Sequence, residues 1–205
     1  MLVLAGILIG AIVLIYVYRQ QLGITGPLGG SADNVPTDQN APAPAHIVWQ
    51  KVDRSGDGFT VEMPTDIKDI QIPAYTQTGS AEQVNMIYTY PDAETSYSVA
   101  WADNPPVERY NRESVEQTLD MARDDALART QCSMVSESRS NRQGYPARDF
   151  VGRNEGGGIF NARLILAGTR LYMLTAAFPA ESARRDQDVQ RFFDSFNLTA
   201  ESRND

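Results

Sequence analysis

Apolar and polar positions along this chain fall into three regimes. The first is unbroken: Leu2–Tyr18, LVLAGILIGAIVLIYVY, contains no charged or amide residue. As a helix rising 1.5 Å per residue, its 17 residues span roughly 25 Å, near the hydrocarbon thickness of a bilayer. In lipid every backbone N–H and C=O must be satisfied within the segment, so the pattern predicts a transmembrane helix over 1–18. Tyr16 and Tyr18 close the run where amphipathic rings favour the interface, and Arg19 follows where a cation can snorkel to the headgroups. Gly6 and Gly10 share one helix face, a G-x-x-x-G spacing that lets another helix backbone approach. No small-x-small cleavage pattern follows, so the segment is expected to be kept as an anchor.

The second regime, residues 19–46, has no apolar period. It is rich in Gly, Pro, Ala, Asn and Asp and reads as a linker: glycines loosen its first half, and Pro36, Pro42 and Pro44 extend its second. The third regime, residues 47–199, alternates and then turns. Phe59, Val61 and Met63 alternate with Thr60 and Glu62. Gln83–Tyr90 places Val84, Met86, Tyr88 and Tyr90 on one face, and Ser96–Ala102 does the same with Tyr97, Val99 and Trp101. Ser114–Thr130 carries Val115, Leu119, Ala122 and Ala126 at helical spacing, with Ser114 and Gln117 as a capping box and Glu116, Asp120, Arg123 and Asp124 toward water. Strands follow from Cys132, over Tyr145–Arg153, Ile159–Ala167 and Arg170–Ala177, the last two joined across Gly168-Thr169. A closing helix over about Ser182–Phe196 bears Val189, Phe192, Phe193 and Phe196, the i, i+3, i+4, i+7 stripe of a buried face. Residues 200–205 are a polar tail.

Short turns between these strands imply an antiparallel sheet, and long connections free two helices to cover it. The expected fold class is α+β: a sheet of about seven strands flanked by two helices, behind one N-terminal membrane helix.

Charge narrows the partners. Residues 47–205 carry 17 Arg and Lys against 24 Asp and Glu, a balance of 17 − 24 = −7. Such a surface is repelled by nucleic acid and anionic headgroups, so no nucleic-acid partner is expected. Cys132 is the single cysteine and His46 the single histidine, too few for a typical zinc site, so neither metal nor cofactor is expected. Cys132 reads as a small buried hydrophobe. His46 has no identifiable triad partners. Asp124 and Asp125 are helix neighbours that point to different sides. Gly156-Gly157-Gly158 lacks the Lys-Ser/Thr of a phosphate loop and reads as a hairpin turn. Arginine outnumbers lysine 16 to 2. Arg139, Arg142, Arg148 and Arg153 fall on or near adjacent strands, a candidate partner surface, because arginine suits planar ion pairs at interfaces.

The segments GFTVEMP, GYPARDF, TRLYMLTAAFP and RFFDSFNL, spread over roughly Trp49–Leu198, resemble the PsbP-like fold family. That family includes the extrinsic PsbP subunit of oxygenic photosystems and many bacterial membrane-anchored domains. The resemblance implies an α+β domain with a noncatalytic accessory role, and it suggests a photosynthetic reaction-centre or antenna complex as host. Together these readings describe a single-pass protein of the bacterial inner membrane. It would be an accessory, non-enzymatic subunit whose partners are the bilayer and integral membrane protein subunits. Arg19 directly after the helix leans the domain toward the cytoplasmic side by the positive-inside bias, with the opposite side left open by a single cation. The rival reading is a membrane-tethered module that encloses a small ligand, which a roomy apolar pocket would favour.

Overall fold

The structure, a computed structural model, describes residues 47–75, 81–92, 95–103 and 111–199. The expected anchor with Gly6, Gly10, Tyr16, Tyr18 and Arg19 lies outside them, as do linker residues 19–46 with His46 and tail residues 200–205. Among the described residues no helix is long and apolar enough to cross a membrane.

The chain runs β1 (Trp49–Arg54), β2 (Phe59–Pro64), β3 (Lys68–Tyr75), β4 (Ala81–Thr89), β5 (Ser96–Asp103), α1 (Arg112–Arg129), β6 (Cys132–Arg142), β7 (Tyr145–Asn154), β8 (Ile159–Ala167), β9 (Arg170–Phe178), α2 (Asp186–Ser195) and β10 (Asn197–Leu198). Seven strands form one antiparallel sheet in the order β3-β4-β5-β9-β8-β7-β6. It consists of two meanders, β3 to β5 and β6 to β9, joined where β5 pairs with β9. Helix α1 carries the chain from β5 to the far edge at β6.

Three layers result. On one face, Leu119, Ala122, Ala126 and Leu127 of α1 pack on Val84, Met86, Ala100, Phe150, Leu164 and Met173. On the other, Phe192, Phe193 and Phe196 pack with Phe59, Val61 and Met63 on Ile87, Tyr97, Val99, Trp101 and Leu174. Successive strand residues point to opposite faces, so β5 feeds one core through Tyr97, Val99 and Trp101 and the other through Ala100 and Ala102. β8 and β9 are buried along almost their whole length because both their faces are covered.

The antiparallel seven-stranded sheet and its two helices agree with the sequence pattern, and the phenylalanine stripe of α2 is buried. Several details differ, among them the closing helix, which begins at Asp186 and not near Ser182. The strand Phe59–Pro64 lies in a separate small sheet, β1-β2-β10, above the large one. Its place in the large sheet is taken by β3, whose outward run Lys68–Gln71 hides it from an apolar-alternation test. Helix α1 starts earlier than expected: Asn111 is the N-cap and accepts from the Ser114 N–H at 2.9 Å, while Ser114 Oγ accepts from the Asn111 N–H at 3.0 Å. The box is therefore Asn111–Ser114 and not Ser114–Gln117. The tight β6–β7 turn holds Gln143 at φ 53° and Gly144 at φ 94°, the two positive values that a type I′ hairpin needs.

Candidate functional site

Two of the charged clusters among the described residues lie one under each covering layer. The first lies between α1 and the β6–β7 hairpin. Arg148 of β7 is fully buried. Its guanidinium donates to Glu116 at 2.5 Å, to Glu137 at 3.0 Å and to Asp120. Glu116 and Asp120 stand four apart on α1, so both carboxylates reach the same point on the sheet. Glu137 arrives from β6. Arg123 closes the network with bonds to Glu137 at 2.8 Å and Asp120 at 2.9 Å, and Arg139 adds a contact to Glu116 at 3.1 Å. Burial works against the charge on Asp120, yet the hydrogen bond and field of Arg148, joined by Arg123 and Arg139, prevail and hold that carboxyl below its usual range. Glu137 is lowered in the same way, its burial outweighed by Arg123 and Arg148.

The second cluster lies at the C-terminal end of α2. Arg163 of β8 grips Asp149, its cross-strand neighbour on β7, through two parallel bonds of 2.6 and 3.0 Å. Its third arm donates to the Phe193 carbonyl at 2.8 Å, and its guanidinium lies over the Phe193 ring at 4.9 Å. A cation there complements the negative end of the helix dipole. Arg142 stands beside it, 3.6 Å from Asp149 and 3.7 Å from Asp194. A cleft of about 230 Å³ opens here between Asn141, Arg142, Gln143, Arg163, Asp194 and Asn197. A second cleft, about 350 Å³, is lined by Arg54, Asp57, Asp69, Gln71 and Asn85 with Ile70 and Trp101. Ile165, Phe193 and Phe196 also line the first, so both clefts mix polar and apolar side chains.

The four arginines singled out in the sequence do not form one patch. Arg139 and Arg148 are opposite in register, but Arg148 is a buried structural cation and so cannot belong to a partner surface. Arg142 sits at the α2 end, and Arg153 pairs with Glu181 at 2.7 Å at the far end of β7. Arg139, with 63% of its side chain exposed, is the most open of the four. Asp124 and Asp125 have separate partners, Arg123 and Arg129. Cys132 is half-buried against the α1-side core, and its thiol is raised by burial. Among the described residues no group of three or more His, Cys, Asp or Glu side chains could hold a metal ion.

Sequence reasoning assigned Glu116, Asp120 and Arg123 to solvent. Their i, i+4 spacing was visible, but which face of α1 lies over Arg148 depends on the crossover to β6, which no local pattern encodes.

The solution structure of cyanobacterial PsbP (CyanoP) from Synechocystis sp. PCC 6803 is similar, with a TM-score of 0.51 over 83% of this chain and 100% of that one, at 11% identity. The fold is PsbP-like. At that identity the likeness concerns architecture alone. The crystal structure of PA94 from Pseudomonas aeruginosa, a protein of unknown function, is a looser match, with a TM-score of 0.33 and 15% identity over 67% of this chain and 85% of that one. No protein-family model matches the sequence, and no curated protein matches it. The PsbP-like domain is a three-layer body in which Arg148 and Arg163 are held by carboxylates of the same chain.

Proposed function

We propose that this protein is a noncatalytic accessory subunit of a larger membrane protein complex, held at the bilayer by Leu2–Tyr18 and presenting its PsbP-like domain to the complex. The observation that carries the reading is the union of a 17-residue uncharged N-terminal segment with a PsbP-like body. A tether raises the effective concentration of a modest docking surface, so neither contact has to be tight. The described carboxylate–arginine clusters support a structural domain. Arg148 and Arg163 are each bound by carboxylates of their own chain, and both clusters staple a helix to the sheet. The likeness to a cyanobacterial PsbP supports a photosynthetic reaction-centre or antenna complex as the class of host.

The test is extraction of the full chain from its native membrane in mild detergent, followed by native gel separation and identification of the co-migrating chains. Co-migration with integral membrane subunits is expected, and replacing Gly6 and Gly10 by Leu should weaken it while leaving insertion intact. A chain that migrates without other subunits before and after that change would refute the accessory-subunit reading. It would advance the ligand-binding module instead.

A further inference from the structure

The large sheet ends in two edges that differ in kind. At one edge, β3 contains Pro73, which has no N–H to offer a neighbour, and the exposed Lys68. At the other, β6 is 11 residues long, contains no proline, and pairs only with β7 among the described residues. Its outward N–H and C=O groups form an open template. Only four large apolar side chains are exposed among the described residues, and two of them, Met134 at 50% and Val135 at 55%, are neighbours on this strand at its bulge.

We propose that β6 is a self-association edge, at which a second copy of this chain pairs antiparallel about Ser138. The strand reads Ser136-Glu137-Ser138-Arg139-Ser140. A two-fold axis through Ser138, perpendicular to the sheet, sets residue i opposite residue 276 − i. Glu137 then lies across from Arg139 of the second copy, and Arg139 across from its Glu137, so each strand meets opposite charge twice. Cross-strand pairs of opposite charge are attractive, and like charges in the same place repel. This alternation is its own complement, whereas a guard of uniform sign would repel itself.

Both partners are prepared for the contact. Glu137 is fixed by Arg123 at 2.8 Å and Arg148 at 3.0 Å and keeps further lone pairs to accept a donor. Arg139 is the exposed arginine of the network and already reaches over the α1 side of the strand to Glu116. The helices leave room. α1 packs over β6, β7 and β8, so its axis runs near β7. The two β7 strands of the paired copies would be three strand spacings apart, about 14 Å. That exceeds the 8–10 Å of packed helices, so the two α1 helices lie side by side without clashing.

The inference does not depend on the anchor or on the identity of a host complex, and its test separates it from both. In the full chain carrying Cys132→Ser, a single cysteine is placed at Ser138 or at Ser133, both exposed. In the proposed register Ser138 faces itself, while the two Ser133 positions are about ten residues of strand apart, roughly 34 Å. A short bis-maleimide should link Ser138→Cys chains into a dimer and leave Ser133→Cys chains monomeric. Adding Arg139→Glu sets four acidic side chains at the seam and should lower the Ser138→Cys dimer yield by about tenfold or more. The proposal is overturned if Ser138→Cys yields no dimer, if Ser133→Cys links equally well, or if Arg139→Glu leaves the yield unchanged.

Discussion

Replacing Arg148 with methionine tests the physical account of how α1 is held. Methionine keeps the aliphatic bulk and removes the charge, leaving Glu116, Asp120 and Glu137 around a void where their shared cation sat. Removing one member of a buried ion pair costs about 3–5 kcal/mol, because the remaining charges stay desolvated. Here the carboxylates are 33%, 37% and 19% exposed, and Arg123 and Arg139 remain to compensate, so the cost is discounted. A loss of about 2–4 kcal/mol follows, or roughly 6–12 °C in Tm for a domain of this size. Arg148→Lys should recover less than half, since one ammonium cannot replace a planar fork that serves three acceptors.

The loss should also depend on pH. In the native protein Asp120 and Glu137 have lowered pKa values, so the stability they contribute is present above their unfolded values of about 4 and is lost as pH falls through the depressed native values. In the variant the same carboxyls have lost that cation, and protonation relieves them. The gap between variant and native protein should therefore narrow as pH falls below about 4 toward the depressed native values. Urea unfolding at several pH values measures it. A deficit below about 1 kcal/mol at neutral pH, or one that does not shrink on acidification, would refute the claim that Arg148 is the counter-charge of this layer.

Three further outcomes are expected. Phe192→Ala, at a fully buried position between α2 and the sheet, should cost about 3–5 kcal/mol in denaturant unfolding. Gly152→Ala would place a Cβ 2.7 Å from Leu127 Cδ2 and 2.9 Å from Cys132 Cβ, so calorimetry should show a loss of about 1–3 kcal/mol as α1 is pushed from β7. Intact-mass measurement of the membrane fraction should find a chain that retains Leu2–Tyr18, and a chain starting after Tyr18 would remove the anchor from the proposed function.

Much of the fold was legible because burial writes itself into local periodicity. Val189, Phe192, Phe193 and Phe196 can share only one helix face, and Tyr97, Val99 and Trp101 only one strand face, so these elements and their inward sides followed from spacing alone. The β7–β8 and β8–β9 hairpins followed from turn chemistry at Gly156-Gly157-Gly158 and at Gly168-Thr169. The layer to which Phe59–Met63 belongs did not follow, because apolar alternation says that one face is buried and not what covers it. Edge strand β3 was hidden for the complementary reason: a strand with solvent on one flank needs little apolar sequence.

The arginines mark the boundary most sharply. The sequence shows that arginine is abundant and that four lie near adjacent strands. Whether such a residue is an exposed contact or a buried counter-charge is set by which helix crosses above it. Only the β5–α1–β6 crossover brings Glu116 and Asp120 over Arg148, and only the closing turn of α2 brings the Phe193 carbonyl to Arg163. A single side chain carries the same charge in either setting. Its role is decided by the desolvation and the partners that distant segments impose, and those exist only once the layers have packed.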